Sequence, residues 1–247
     1  EFPFLKEANS QSLQEAVKWL DRAFKNFFKG LSGFPRFKSK KRTNSISIPQ
    51  HFRIEGNKVR IPKIKTPLRF IKHREIEGKV KSISITKTPT GKFYLNVLVE
   101  KEITPLTKTE KVLAIDVGLT HFCTLSTGEK IENPKYLKKT EEKIKKKQKR
   151  LARKKKDSRR YKKVARQIAK LHEKIKNQRI DFLHKISKKL IGDNQAIIVE
   201  DLKIKNLIQN SNLSKYIADA SWSKFIQFLE YKSKLYGRIL IKVDTFY

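Results

Sequence analysis

Residues 112–120 read Val-Leu-Ala-Ile-Asp-Val-Gly-Leu-Thr, an apolar run of strand length and β-branched content interrupted by one carboxylate, Asp116. A second apolar run, His121 to Gly128, follows at once and ends in a turn, so Asp116 is expected near the inner end of a strand that leads into a hairpin. An ionised carboxylate in apolar surroundings is costly unless it is hydrogen-bonded, paired with a cation or bound to a metal, and this places a demand on the fold. The plainer alternative is that an Asp two residues before a Gly simply starts a turn. The theme recurs at 195–207, where an apolar strand, Ile197 to Val199, ends in two acids. Glu200 and Asp201 point to opposite sides of a strand, so only one of them can face the same way as Asp116.

The rest of the chain decides what such acids could serve. With 247 residues, 38% of them hydrophobic, it can bury a real core and is expected to divide into two or three units. No apolar stretch approaches the roughly 20 residues of a membrane helix and there is no signal-peptide pattern, so the reading is cytoplasmic. The single Cys123 lies in an apolar strand and is expected to be a small core residue; one cysteine excludes a disulfide framework and any zinc site of the usual spacing. His51, His73, His121, His172 and His184 form no metal-binding pairs in sequence. Against 24 acids stand 59 Lys and Arg, a formal net charge of +35 spread along the chain. That distribution calls for a polyanion, and nucleic acid fits it better than a bilayer surface. Methionine is absent even at position 1, which reads as a fragment, a processed product or an altered sequence.

Residues 10–29 predict an amphipathic helix, with Leu13, Val17, Leu20, Phe24 and Phe27 along one face, Asn9 and Ser10 as candidate caps and Gly30 as the stop. The aromatic stripe is expected to be core. Next comes a basic loop in which Phe34 and Phe37 alternate with Arg36, Lys38, Lys40, Lys41 and Arg42, suited to stacking on bases and contacting phosphates or, equally, to plugging a neighbouring core. From 44 to 102 the texture is short β runs with a Gly56-Asn57 turn and a Thr88–Gly91 turn, predicting a small β-barrel or sandwich, and 103–110 reads as a linker. Between Lys138 and Lys170 there are 18 Lys or Arg and three acids, yet Leu137, Ile144 and Leu151 recur at seven. After a break at Lys156-Asp157-Ser158 the stripe resumes through Tyr161, Val164, Ile168, Leu171 and Ile175, predicting two long helices packed as a hairpin. At that charge density the surface should repel itself unless it meets phosphate, so Lys145, Lys146, Lys147, Arg153, Lys154, Lys155, Arg159 and Arg160 are candidate nucleic-acid contacts. Another amphipathic helix around 221–237 and a final strand complete the chain.

A strand with a central Asp entering a hairpin, then helices, then a strand ending in Glu is the order of the ribonuclease H-like nuclease core, where carboxylates on neighbouring strands hold two divalent ions at a phosphodiester. At "FPRFKSKK", "AIDVGL", "VEDL" and "ADASWSKFIQFLEYKSKLYG" with the following "ILIKVD", the sequence resembles TnpB-type (OrfB) transposon-encoded RNA-guided nucleases, relatives of the type V CRISPR effectors, in order and spacing across the chain. The resemblance implies an α+β, multi-domain protein: residues 1–43 as part of a helical recognition lobe, 44–105 as a β-barrel wedge domain, and 108–247 as a RuvC-like domain with a helical insertion at about 135–191. It implies Asp116 and Glu200 as catalytic and metal-binding residues, Mg²⁺ or Mn²⁺ as cofactor, a guide RNA and a target DNA as partners, and a cytoplasmic, nucleoid-associated protein. The family continues past the last strand into a zinc ribbon, the only expected zinc, and a helix with a third catalytic Asp. Asp201, Asp219 and Asp244 do not occupy that position and are expected in turns or caps. Three readings follow: an RNA-guided DNA endonuclease, here as an inactive fragment; an RNA-guided DNA-binding protein that does not cut; and a structured-RNA-binding protein.

Overall fold

The computed structural model describes residues 2–37, 44–202, 207, 209 and 214–244. The chain is a mixture of helix and sheet that divides into two compact units, Glu1–Glu102 and Ile103–Tyr247.

In the first unit a short 3-10 helix, Pro3–Glu7, leads into α1, Ser10–Phe28. Asn9 caps it, its side chain accepting from the Gln11 N–H at 2.9 Å. At the other end Gly30 takes φ +68°, and the Leu31 N–H reaches back to the Asn26 carbonyl, the closure that a left-handed residue permits. The stripe expected to be core is not one: no α1 residue is buried, and Val17, Leu20 and Phe28 are exposed. Its aromatic end instead collects Phe34 from the basic loop, edge-on to Phe24 at 5.7 Å and to Phe27 at 5.4 Å. Phe34 nevertheless stays 65% exposed and Phe37 is fully exposed, so neither phenylalanine plugs a buried core.

The strands of this unit are β1 (Ser45–Ile48), β2 (Arg53–Glu55), β3 (Lys58–Arg60), β4 (Leu68–Arg69), β5 (Lys79–Lys87) and β6 (Phe93–Glu100). Among the described residues they hydrogen-bond as two three-stranded antiparallel sheets, β1-β5-β6 and β2-β3-β4, rather than as one continuous barrel. Period-two alternation turns Ile48, Val59 and Ile83 inward from three strands, and with Ile61 they form one small core. The 88–92 turn closes with the Gly91 N–H on the Thr88 carbonyl and the buried Thr90 hydroxyl 2.7 Å from that of Thr88.

The second unit is built on a five-stranded sheet in the order β11-β10-β7-β8-β9. β7 (Val112–Val117), β8 (His121–Leu125) and β9 (Lys130–Glu132) form an antiparallel meander, whereas β10 (Ala196–Glu200) runs parallel to β7 and β11 (Ile239–Val243) parallel to β10. Between β9 and β10 lie α2 (Tyr136–Ala152) and α3 (Arg159–Asp193), and between β10 and β11 lie α4 (Ser214–Ala220) and α5 (Trp222–Tyr236). The break between α2 and α3 falls as expected, with Asp157 at φ +65° and the Ser158 side chain accepting from the Tyr161 N–H. The hairpin pair buries Ile144, Val164, Ile168 and Ile175. One face of the sheet supplies Leu113, Ile115, Ile197 and Val199 to a core completed by Leu183, Leu190 and Ile191 of α3 and Phe225 and Leu229 of α5. The segment 103–110 is docked onto this unit: the Leu106 N–H donates to the Tyr236 carbonyl and the Thr109 N–H to Gln195 Oε1. Gly237 ends α5 at φ +66° with Pro105 so close that an added Cβ would sit 3.0 Å from its ring, so the helix stop and the docking both require glycine. Among the described residues no helix is long and apolar enough to cross a membrane.

Candidate active site

Asp116 and Glu200 come from β7 and β10, which pair in parallel from Val112 opposite Ala196 to Ile115 opposite Val199. One step further along both strands sets Asp116 beside Glu200, on neighbouring strands about 4.8 Å apart. Because Ile115 and Val199 face the core, the next residue of each strand turns away from it, and both carboxylates emerge on the opposite face. They open on a groove of about 590 Å³ lined also by Thr124 of β8, Ser126 just past it, Val243 at the end of β11 and Asp244 just beyond. Thr124 is the cross-strand partner of Asp116.

This geometry changes the reading of Asp116. It is exposed and Glu200 is half-buried, so the apolar run shapes the strand without enclosing the carboxylate, and no burial penalty demands a partner. The informative feature is the reverse. Among the described residues neither carboxylate has a hydrogen bond or ion pair, although acids elsewhere in this basic chain are taken up by lysines, as in Asp21–Lys25, Glu141–Lys215, Asp181–Lys185 and Glu230–Lys242. Two like charges side by side and left without cations form a site of negative potential with hard oxygen donors. Among the described residues no group of three or more His, Cys, Asp or Glu gathers in a way that could hold a metal ion. Of the other aspartates, Asp201 lies exposed just past β10, Asp244 lines the same groove, and Asp219 caps α2, accepting from the Leu137 N–H at 3.1 and 3.3 Å.

Cys123 is fully buried beside this strand, and its thiol is pushed up to about 12 by burial, with the charges of Glu129 and Asp116 adding to the effect; it is a core residue. His121 meets Glu132 at 2.9 Å, and His184 stacks on Phe228 with centroids 4.0 Å apart, held below the usual histidine range first by burial and then by the Lys232 charge. A residue that sequence reading missed is Lys232, buried among the core helices with Nζ donating to the Ser187 hydroxyl at 2.7 Å and the His184 carbonyl at 2.9 Å. The signal was present: Lys232 follows Phe228 and Leu229 at helical spacing on the inward face of α5.

Of the basic candidates, Lys145, Lys146, Arg153, Lys155, Arg159 and Arg160 are exposed on α2, in the connection after it and at the start of α3. Lys147 is half-buried with its ammonium on Gln167, and Lys154 is also half-buried. Lys145 is committed to Glu141 and Glu142, which hold its pKa above the ordinary lysine value. Arg36 is exposed; Lys38, Lys40, Lys41 and Arg42 lie outside the described residues.

The fold and the site thus define a strongly basic, mixed α/β protein carrying an unpaired carboxylate couple on the open face of its sheet. Residues 94–211 match the OrfB_IS605 family, described as "Probable transposase". Two curated proteins align with the whole chain, each described as a "Putative RNA-guided DNA endonuclease": one from Streptomyces pristinaespiralis at 36% identity, with 62% of its length covered, and InsQ from Escherichia coli (strain K12) at 31%, with 65% covered. A solved structure titled "Cryo-EM structure of the Cas12f1-sgRNA-target DNA complex" overlaps 95% of this chain and 64% of its own, at 14% identity and a TM-score of 0.36. The chain is thus similar to the OrfB_IS605 family over residues 94–211 and to both curated relatives along its whole length. It spans just under two thirds of the length of the curated relatives it matches.

Proposed function

We propose that this chain carries the core of a transposon-encoded, RNA-guided DNA endonuclease, with its second unit as a RuvC-like, ribonuclease H-like nuclease domain. The observation that carries this reading is the pair Asp116 and Glu200, abreast on parallel strands and unpaired in a chain with a large excess of cations. The sheet order supports it: an antiparallel meander, β7 to β9, joined edge to edge with the parallel strands β10 and β11. The strands of the first unit are read as the wedge and α1 as part of the recognition lobe.

The donor set fits a hard divalent cation. Asp116 and Glu200 would hold Mg²⁺ or Mn²⁺, and magnesium sites of this kind commonly use one or two carboxylates and leave the other positions to water and phosphate. A bound divalent ion would supply charge stabilisation to the phosphoryl oxygens and a more acidic water. The protein's own residues do the rest. The exposed cations of α2 and α3 take the phosphates of the guide RNA and its paired target, fixing the backbone without reading sequence. Thr124 and Ser126 border the groove with hydroxyls able to bond water or phosphate oxygen.

The test separates binding from chemistry. Mn²⁺ binding to the chain, followed by the loss of the free-ion electron paramagnetic resonance signal, should be weak and should fall about tenfold or more in Asp116→Asn or Glu200→Gln, while affinity for structured RNA stays within about twofold because phosphate contacts supply it. In a chain extended to the relatives' length, the same substitutions should abolish guide-dependent DNA cleavage. Cleavage that survives Asp116→Asn refutes the assignment. A second reading, a guide-dependent DNA binder that does not cut, draws on the fact that among the described residues no third acid joins the pair closely enough to hold a metal with it, although Asp244 lines the same groove; it predicts target binding without cleavage in the extended chain as well.

A further inference from the structure

The basic hairpin and the carboxylate pair belong to one unit, and the Asp219 side chain joins both helices of the hairpin near its base. Helix α2 begins without a cap of its own: Lys135, at its N-terminal boundary, sits in the left-handed region and makes no capping hydrogen bond, and the first turn contains no acid. One of its orphan N–H groups, that of Leu137, is answered from another element. Asp219 of α4 accepts from the Leu137 N–H with both carboxylate oxygens, and its Oδ1 lies 2.5 Å from Arg179 Nη2 of α3. The pair is largely screened from solvent, with side chains 23% and 10% exposed. One turn earlier on α4, Lys215 meets Glu141 of α2 at 2.5 Å.

The network continues toward the site. Asn133, just ahead of α2, donates to the Leu119 carbonyl at 3.0 Å and accepts from the Lys135 N–H at 3.2 Å. Leu119 lies in the turn that follows Asp116 and Val117 on β7. An unbroken path of hydrogen bonds and chain therefore runs from the strand of Asp116 through the first turn of α2 to Asp219 and on to α3. The cleft at this junction, about 260 Å³ and bordered by Lys135 and Lys138, has the cations and helix N-terminus of an anion site, but the Asp219 carboxylate already occupies that role.

We propose that Asp219 is a positioning residue: by capping α2 and pairing with Arg179 it sets the angle of the helical hairpin on the sheet, and so brings nucleic acid held along the hairpin into register with Asp116 and Glu200. The geometric half stands on the contacts above; the register with the carboxylates rests on the nuclease reading. Asp219 makes two distinct interactions, so its variants separate them. Asp219→Asn keeps an acceptor for the Leu137 N–H and loses the charge, Asp219→Ala loses both, and the exchange Asp219→Arg with Arg179→Asp restores the ion pair without the cap.

Spin labels at Lys156→Cys, at the hairpin tip, and Thr127→Cys, in the turn between β8 and β9, report the angle directly; native Cys123 is buried and stays unlabelled. The distance distribution should be narrow in the parent, about twofold broader or more in Asp219→Ala, and intermediate in Asp219→Asn and in the exchange. The functional consequence is read with Fe²⁺ loaded in place of Mg²⁺ and ascorbate with peroxide, on an end-labelled RNA–DNA hybrid. Asp219→Ala should scatter the localised cuts while hybrid affinity changes by less than about twofold, a split that mere loss of stability does not produce. Unchanged distances in Asp219→Ala and Asp219→Asn overturn the proposal. Iron-dependent cuts that persist in Asp116→Asn overturn instead the nuclease reading, and the spin-label distances still decide the role of Asp219.

Discussion

Helices α1 and α5 are both amphipathic with aromatic residues on one face, yet α5 buries Phe225, Phe228 and Leu229 and α1 buries nothing. The same contrast holds for the units around them. Among the described residues the second unit gathers sixteen buried side chains into one cluster, whereas the core of the first is Ile48, Val59, Ile61 and Ile83. Since hydrophobic stabilisation scales with the apolar area removed from water, the second unit has much the larger reserve. An amphipathic pattern tells which face a helix would bury, and only a covering element decides whether that face is buried.

The chain's two tryptophans, one in each unit, allow this comparison to be attacked from both sides: Trp19 sits on α1 and Trp222 is buried at the start of α5. The largest effect is expected for Phe225→Ala, which removes a fully buried ring packed edge-on against Phe122 at 5.0 Å. It should cost about 3–5 kcal/mol, read from urea unfolding at Trp222 in a Trp19→Phe background. Ile48→Ala strikes the smaller core and should cost about 2–5 kcal/mol by the same chemistry, read at Trp19 in a Trp222→Phe background. With so few buried partners to share the loss, it should bring the first unit near its unfolding threshold. Leu20→Ser on the exposed stripe of α1 should change stability by less than about 0.5 kcal/mol. A cost comparable to that of Ile48→Ala would mean that the stripe is covered in solution.

The smallest expected effect is one of pH. His184, packed on Phe228 and facing the buried Lys232 ammonium, is held below 6.5 by burial first and by that charge second, with Lys224 adding to the effect and Asp181 opposing it. Its folded pKa is depressed, so between that value and 6.5 the unfolded chain binds more protons and stability rises with pH. The second unit should therefore unfold at lower urea at pH 5 than at pH 7, and His184→Phe should flatten the difference.

Much of the candidate site was legible in the residues. The strand period alone places Asp116 and Glu200 one step beyond core-facing residues, and the helix signals at Asn9, Gly30 and Ser158 locate boundaries where the chain makes them. The apolar neighbours of Asp116 misled on one point, because a residue in an apolar run need not lie on the buried side of its strand. Asp219 shows the limit most clearly. Sequence suggested a local turn or cap, whereas it accepts from Leu137, 82 residues earlier in the chain, in the first turn of α2.

What the sequence by itself determined is local and repetitive: the alternation that makes the strands, the three-and-four spacing that makes the helices, the turn and cap residues that end them, and a net charge that calls for a polyanion. These depend on interactions within a few residues, which any reader of the chain can enumerate. Only the tertiary structure decided that Glu200 stands beside Asp116, that Asp219 reaches Leu137 and Arg179, that Lys232 is enclosed with Ser187, and that the stripe of α1 stays open. Each is a meeting of groups far apart in the chain. No local period encodes such a meeting, because it is fixed by which elements pack together and in what register.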